Sequence, residues 1–190
     1  LSHSAHRSGR PLAAAALVQA AAAQAYEFPR HAGAPQVHAE CQRLLADLKG
    51  RVRAIEAMPE GGDQVLEALD AMQRRTEDTL GPLWVLPAVH PSKPIRDAAE
   101  QCDLAYQAFS ARFLQNEKAY VRLKRVQPAD AIDRRLQRDL LDLFEDSGVG
   151  LRPAARRRAR DISTELTRLA QDFDRRIRES RVRVACTEAE

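Results

Sequence analysis

The stretch Ile95-Arg96-Asp97-Ala98-Ala99-Glu100-Gln101-Cys102-Asp103-Leu104-Ala105-Tyr106-Gln107-Ala108-Phe109-Ser110-Ala111-Arg112-Phe113 places Ile95, Ala99, Cys102, Tyr106, Phe109 and Phe113 at alternating spacings of four and three. That alternation follows the 3.6-residue turn of an α-helix and gathers these side chains on one face. Ser92 offers an N-cap just upstream, and Gln115 or Asn116 offers a joint downstream.

Outward from this stretch, the same pattern recurs between Pro and Gly breaks. Gln36 to Met58 aligns Val37, Cys41, Leu44, Leu48, Val52 and Ile55, and Pro59 with Gly61-Gly62 ends it. Asp63 is a good N-cap for a second segment with Leu66, Leu69, Met72 and Leu80 directed inward. Gly81-Pro82 predicts a kink or restart, after which Leu83-Trp84-Val85-Leu86 stays helical to Pro87 with Trp84 in the core. Asn116 to Val126 carries Tyr120 and Leu123 and stops at Pro128. A fifth helix opens near Asp130, sets Ile132, Leu136, Leu140, Leu143 and Phe144 on a broad face, and ends at Gly148 with Gly150 beyond. A sixth starts at Pro153 and aligns Ala155, Ala159, Ile162, Leu166, Leu169, Phe173 and Ile177. At 1.5 Å per residue it spans roughly 40 Å. The expected fold is all-α, an antiparallel bundle of about six helices. Val182-Arg183-Val184-Ala185 alternates instead, which predicts a short strand-like tail. A single strand needs a partner, so more protein is expected after Glu190.

Composition agrees with this reading. Aromatic residues are 5% of the chain and charged residues 30%, a mixture rich in helix formers and poor in strand formers. At 190 residues the chain can bury a sizeable core without an external staple. The net charge of +3 is small beside 30 basic and 27 acidic residues, so charge does not point to nucleic acid. Cys41, Cys102 and Cys186 lie far apart without C-x-x-C spacing and read as free thiols, two of them packed as small apolar groups. At the N-terminus His6, Arg7 and Arg10 precede an Ala-rich run from Leu12 to Ala23 and then Ala23-Gln24-Ala25. That order fits a secretory signal with an A-x-A cleavage site, whereas Gln19 and the weak hydropathy of the run fit a helical or disordered leader. Export follows from the first reading and a cytoplasmic location from the second. The chain opens on Leu1 rather than Met, so the true start is expected upstream. No stretch approaches the apolar length of about 20 residues that a membrane span requires.

Two stretches go beyond helix pattern. Leu114-Gln115-Asn116-Glu117-Lys118-Ala119-Tyr120 resembles the G-Q-N-E-x-L-Y segment of the thimet oligopeptidase, neurolysin and oligopeptidase A family of zinc metallopeptidases. Phe144-Glu145-Asp146-Ser147-Gly148-Val149-Gly150-Leu151 resembles the F-x-x-S-G-V-x-L segment of the same family. Val89-His90-Pro91 with Ile95-Arg96-Asp97-Ala98-Ala99-Glu100 is similar to its helix-opening segment, and Ile162, Glu165, Leu166 and Phe173 fit the helix that follows. The likeness covers about residues 28–190, with departures at Leu114, where the family usually has Gly, and Ala119, where it often has Leu. The resemblance implies a non-catalytic helical wall of a substrate channel that acts with a separate catalytic domain on short peptides. It also implies zinc in the full-length parent, held by an H-E-x-x-H helix and a downstream Glu. None of His3, His6, His31, His38 and His90 is followed by Glu, so this chain lacks that motif and is expected to be inactive alone.

Other clusters read as structural. His38, Glu40 and Cys41 could be metal ligands, but residues two and three apart on a helix do not all converge on one point. Arg156, Arg157, Arg158 and Arg160 form the densest basic patch, without interleaved aromatic residues. Asp161, Glu165, Asp172, Asp174 and Glu179 are scattered through the same helix, as on a solvated face with i,i+4 pairs. Contact with the missing domain or a peptide carboxylate is the other reading of the Arg cluster. Asn116 and Glu117 suit a helix cap and first turn, and Tyr120 suits packing. No catalytic or metal residue is assigned, and substrate-binding residues are unknown. The expected organisation is a leader over 1–27, a helical channel-wall domain over 28–180, and a connection to the missing catalytic domain over 181–190. The alternative is a self-sufficient helical interaction module.

Overall fold

The computed structural model describes residues 30–62 and 64–180. Among them are six α-helices: α1 (Ala34–Ala57), α2 (Gln64–Val89), α3 (Lys93–Phe113), α4 (Glu117–Arg125), α5 (Ala131–Asp146) and α6 (Pro153–Glu179). Helices α1, α2 and α3 pack mutually, α4 sits on α1 and α2, α5 joins through α4, and α6 lies against α3. The all-α bundle is as the helical periodicity predicts. The proposed Asp63 cap, the leader and the 182–185 alternation lie outside the described residues.

Local chemistry fixes the helix ends. Prolines stand in the first turn of α1, α3 and α6, where the missing N–H costs nothing. The Asn116 side chain accepts from the Ala119 N–H, and the Asp130 side chain accepts from the Ile132 and Asp133 N–H groups. Ser92 occupies the N-cap of α3, but its side chain makes no capping hydrogen bond. Gly148 leaves α5 at φ +82°, a conformation that disfavours a side chain, and lets the Val149 N–H reach the Phe144 carbonyl.

The core runs through Leu44, Leu48 and Ile55 of α1, Val65, Leu80 and Leu83 of α2, and Leu123 and Phe144 beyond them, all fully buried. Of the kink or restart predicted at Pro82, the restart does not occur: α2 continues through Pro82 and Pro87 to Val89. Burial of Leu80, Pro82, Leu83 and Leu86 offsets the roughly 3 kcal/mol that an internal proline costs a helix.

Cysteine pairing also departs from the sequence reading. Cys41 and Cys102 are not free thiols but form a disulfide between α1 and α3, with Cα atoms 5.7 Å apart. Both lie on the inward faces of their helices, as the periodicity predicts, but spacing along the chain carries no sign that those faces meet at the same level. Cys186 lies outside the described residues.

Candidate interaction surface

Helix α6 has its polar and apolar sides reversed relative to the bundle. Ile162, Leu166, Leu169, Phe173 and Ile177 are between 46% and 62% exposed, and the helix contributes no buried residue to the core. The expected inward apolar row therefore points out. What meets the bundle is polar. Arg175 donates from Nη2 to Glu100 Oε2 at 2.6 Å, and Arg178 donates to the other oxygen of the same carboxylate. Gln171 Nε2 donates to Asp103 Oδ2 at 2.7 Å and to the Glu100 carbonyl at 3.3 Å. Arg160 reaches Gln115 Oε1, and Arg156 pairs with Glu117. At 3.6 residues per turn these polar anchors and the apolar row are centred about 150° apart around the helix axis.

The anchor is built from α3. Glu100 is 6% exposed, and its carboxylate is held by two guanidinium groups, so its desolvation is matched by charge-assisted hydrogen bonds. The hydrogen bond to Glu100 holds the Arg175 guanidinium above its ordinary range. Gln115 links three elements: its amide donates to the Ser147 carbonyl while its oxygen accepts from Arg160. The Arg cluster read as a solvated face is thus divided. Arg157 and Arg158 are exposed, whereas Arg156 and Arg160 turn toward the bundle.

A second feature is an open apolar groove of about 310 Å³ lined by Met72, Thr76, Trp84, Tyr106, Phe109 and Phe113, among others. Trp84 is not in the core as expected: it is 44% exposed at the rim, and its Nε1–H donates to Asp103 Oδ1 at 3.1 Å. Its ring stands edge-on to Tyr106 at 6.1 Å, and the row continues through Phe109 and Phe113 to Phe144. Burial pushes the Tyr106 phenol above its ordinary value, and hydrogen bonding to Ser110 and Thr76 opposes that rise.

The remaining singled-out residues do not come together. His31 is buried with Nε2 2.7 Å from Glu40 Oε2, while Cys41 is committed to its disulfide, so His38, Glu40 and Cys41 share no common point. His90 Nδ1 accepts from the Ser92 N–H. His3 and His6 lie outside the described residues. Among the described residues no group of three or more His, Cys, Asp or Glu side chains is placed to hold a metal ion. Asn116 caps α4 and also donates to Glu56 Oε1 at 2.6 Å, and Tyr120 packs on Phe144 while donating to Glu145. No helix among the described residues is long and apolar enough to cross a membrane.

Sequence reasoning missed Glu100, Gln171, Arg175 and Arg178 as one cluster. A signal was present: Glu100 lies beside the buried Ala99, and Gln171, Arg175 and Arg178 share one face at spacings of four and three. Comparison with protein-family models matches none of them, and comparison with curated proteins finds no similar sequence.

Proposed function

We propose that this chain is the non-catalytic helical N-terminal part of a zinc-dependent oligopeptidase, and that the outward face of α6 docks on the catalytic part of the same protein. The observation that carries the reading is the reversal of α6. A helix that spends its Arg and Gln side chains on its own bundle and leaves Ile162, Leu166, Leu169, Phe173 and Ile177 outside is shaped to cover another apolar surface. The resemblance of the Gln115 to Tyr120 and Phe144 to Leu151 segments to the thimet oligopeptidase family supports the reading that this surface belongs to a catalytic part. Both segments build the joint beneath α6: Gln115 ties Ser147 to Arg160, and Glu117 pairs with Arg156.

In such a peptidase the catalytic part supplies zinc and the Glu that takes a proton from zinc-bound water. The present chain supplies a rigid wall. Its role is to hold short peptide substrates beside the metal and exclude longer chains. The direct test is the reading frame beyond Glu190. An H-E-x-x-H segment followed some tens of residues later by Glu is expected; a stop codon would refute the peptidase reading. Independently, the purified chain supplied with zinc should not hydrolyse quenched fluorescent peptides, and chelator-sensitive cleavage would contradict the assignment. A self-sufficient interaction module is the second reading, favoured by the same exposed face, and a stop codon would select it.

A further inference from the structure

We propose that Cys41 and Cys102 form an oxidative modification site, closed as the chain folds by a protein dithiol oxidase in its disulfide form, and that the protein therefore matures in an oxidising compartment outside the cytoplasm. The proposal is independent of the peptidase reading and rests on two separate observations.

The first is the placement of the pair. Cys41 and Cys102 are 5% and 2% exposed, at the contact between α1 and α3 and 61 residues apart in sequence. Both belong to the apolar core cluster that also holds Val37 and Leu44 of α1 and Ile95, Ala98 and Ala99 of α3. Such a bond is poorly placed for cycling: thiol–disulfide exchange needs an attacking thiolate to reach a sulfur, and these sulfurs are enclosed. It is a structural bond made before α1 and α3 close. The second observation is the N-terminal composition, where basic residues, the Leu12 to Ala23 run and Ala23-Gln24-Ala25 follow the order of an export signal. Structural disulfides persist where thiols are not continually reduced, and an export signal delivers a chain to such a place.

The chemistry balances by exchange. One cysteine, as thiolate, attacks the oxidase disulfide and releases one oxidase thiolate; the second cysteine then attacks the mixed disulfide. The chain loses two protons and two electrons, and the oxidase leaves as a dithiol.

The test uses the full-length protein from cells that make it naturally, quenched in acid, alkylated without reductant and digested with trypsin. Cleavage after Arg30, Arg43, Arg96 and Arg112 isolates Cys41 and Cys102 on separate peptides, so the bond is read as a linked pair. Recovery of the linked pair from the extracytoplasmic fraction, with unmodified 31–43 and 97–112 appearing only after reduction, is the expected result. Alkylated forms of both peptides before reduction would overturn the disulfide. A linked pair confined to the cytoplasmic fraction would overturn the compartment. In a second measurement, reductant added to the folded protein should release neither thiol until denaturant is added; release at the native rate of an exposed disulfide would overturn the claim that the bond is enclosed. A stop codon after Glu190 would leave all of these outcomes unaffected.

Discussion

Replacing Leu166, Leu169 and Phe173 together by Gln separates the outward-facing arrangement of α6 from the inward one that its periodicity suggests. If these three side chains were core, each would contribute roughly 1.5–3 kcal/mol by burial. Losing all three would then remove about 5–9 kcal/mol, comparable to the whole stability of a typical domain, about 5–15 kcal/mol. In the structure they are 61%, 48% and 62% exposed, and the α6 contacts to α3 are made by Gln171, Arg175 and Arg178 instead. Surface substitutions of this kind change stability by about 0.5 kcal/mol each, so the triple variant should lose no more than about 1.5 kcal/mol. Urea unfolding followed by far-UV circular dichroism measures this directly, as a midpoint lowered by no more than that loss divided by an unchanged slope. Phe144→Ala serves as the internal reference: that ring is fully buried against Phe113 and Tyr120, and its removal should cost about 3–5 kcal/mol. A triple variant that unfolds as readily as Phe144→Ala would refute the reasoning, because the apolar face would then be covered within the chain itself. If the triple variant is stable and the proposed docking of α6 holds, the same substitutions should weaken association of this helical part with the apolar surface that α6 is proposed to cover.

Glu100→Gln should free α6 from α3 without unfolding the bundle. Removing one partner of a buried ion pair costs about 3–5 kcal/mol, and the partial exposure of Arg175 and Arg178 reduces this to about 1–3 kcal/mol. Hydrogen exchange should accelerate along α6 while the buried centre of α1 keeps its protection; uniform acceleration would argue against a local role. The raised Tyr106 phenol stabilises the fold in full below its ordinary value of 10.0, and that contribution is lost as pH rises through the folded value. Tyr106→Phe should therefore flatten the alkaline loss of stability, read as urea midpoints at about pH 9 and about pH 11; parallel slopes in the two proteins would contradict it. Gly148→Ala should destabilise by about 1 kcal/mol or more, since φ is +82° and an added Cβ would lie 2.6 Å from Leu151 Cδ1. An unchanged melting temperature would show that the turn relaxes.

The candidate surface was legible in part. Its apolar row, Ile162 to Ile177, and its Arg-rich character could be read from spacing, but the direction each side faces could not. Amphipathicity tells that a helix has two sides, and in a chain of one domain the apolar side is assigned inward. That assignment fails when the polar side finds better partners at home, as Arg175 and Arg178 do on Glu100. The groove had the same fate: Tyr106, Phe109 and Phe113 were recognisable as one row, but Trp84 joins it only because α2 continues through Pro82.

The helices, their order and most of their ends follow from local chemistry, because turn periodicity, Asn116 and Asp130 caps, N-terminal prolines and Gly148 act over a few residues. Which faces meet depends on long-range packing. The disulfide requires Cys41 and Cys102 to stand at the same level of two packed helices, the continuity of α2 requires burial to outweigh a lost backbone bond, and the reversal of α6 requires a buried carboxylate at the right place on α3. Each depends on atoms brought together from distant parts of the chain, where spacing along the sequence carries no information about distance in space.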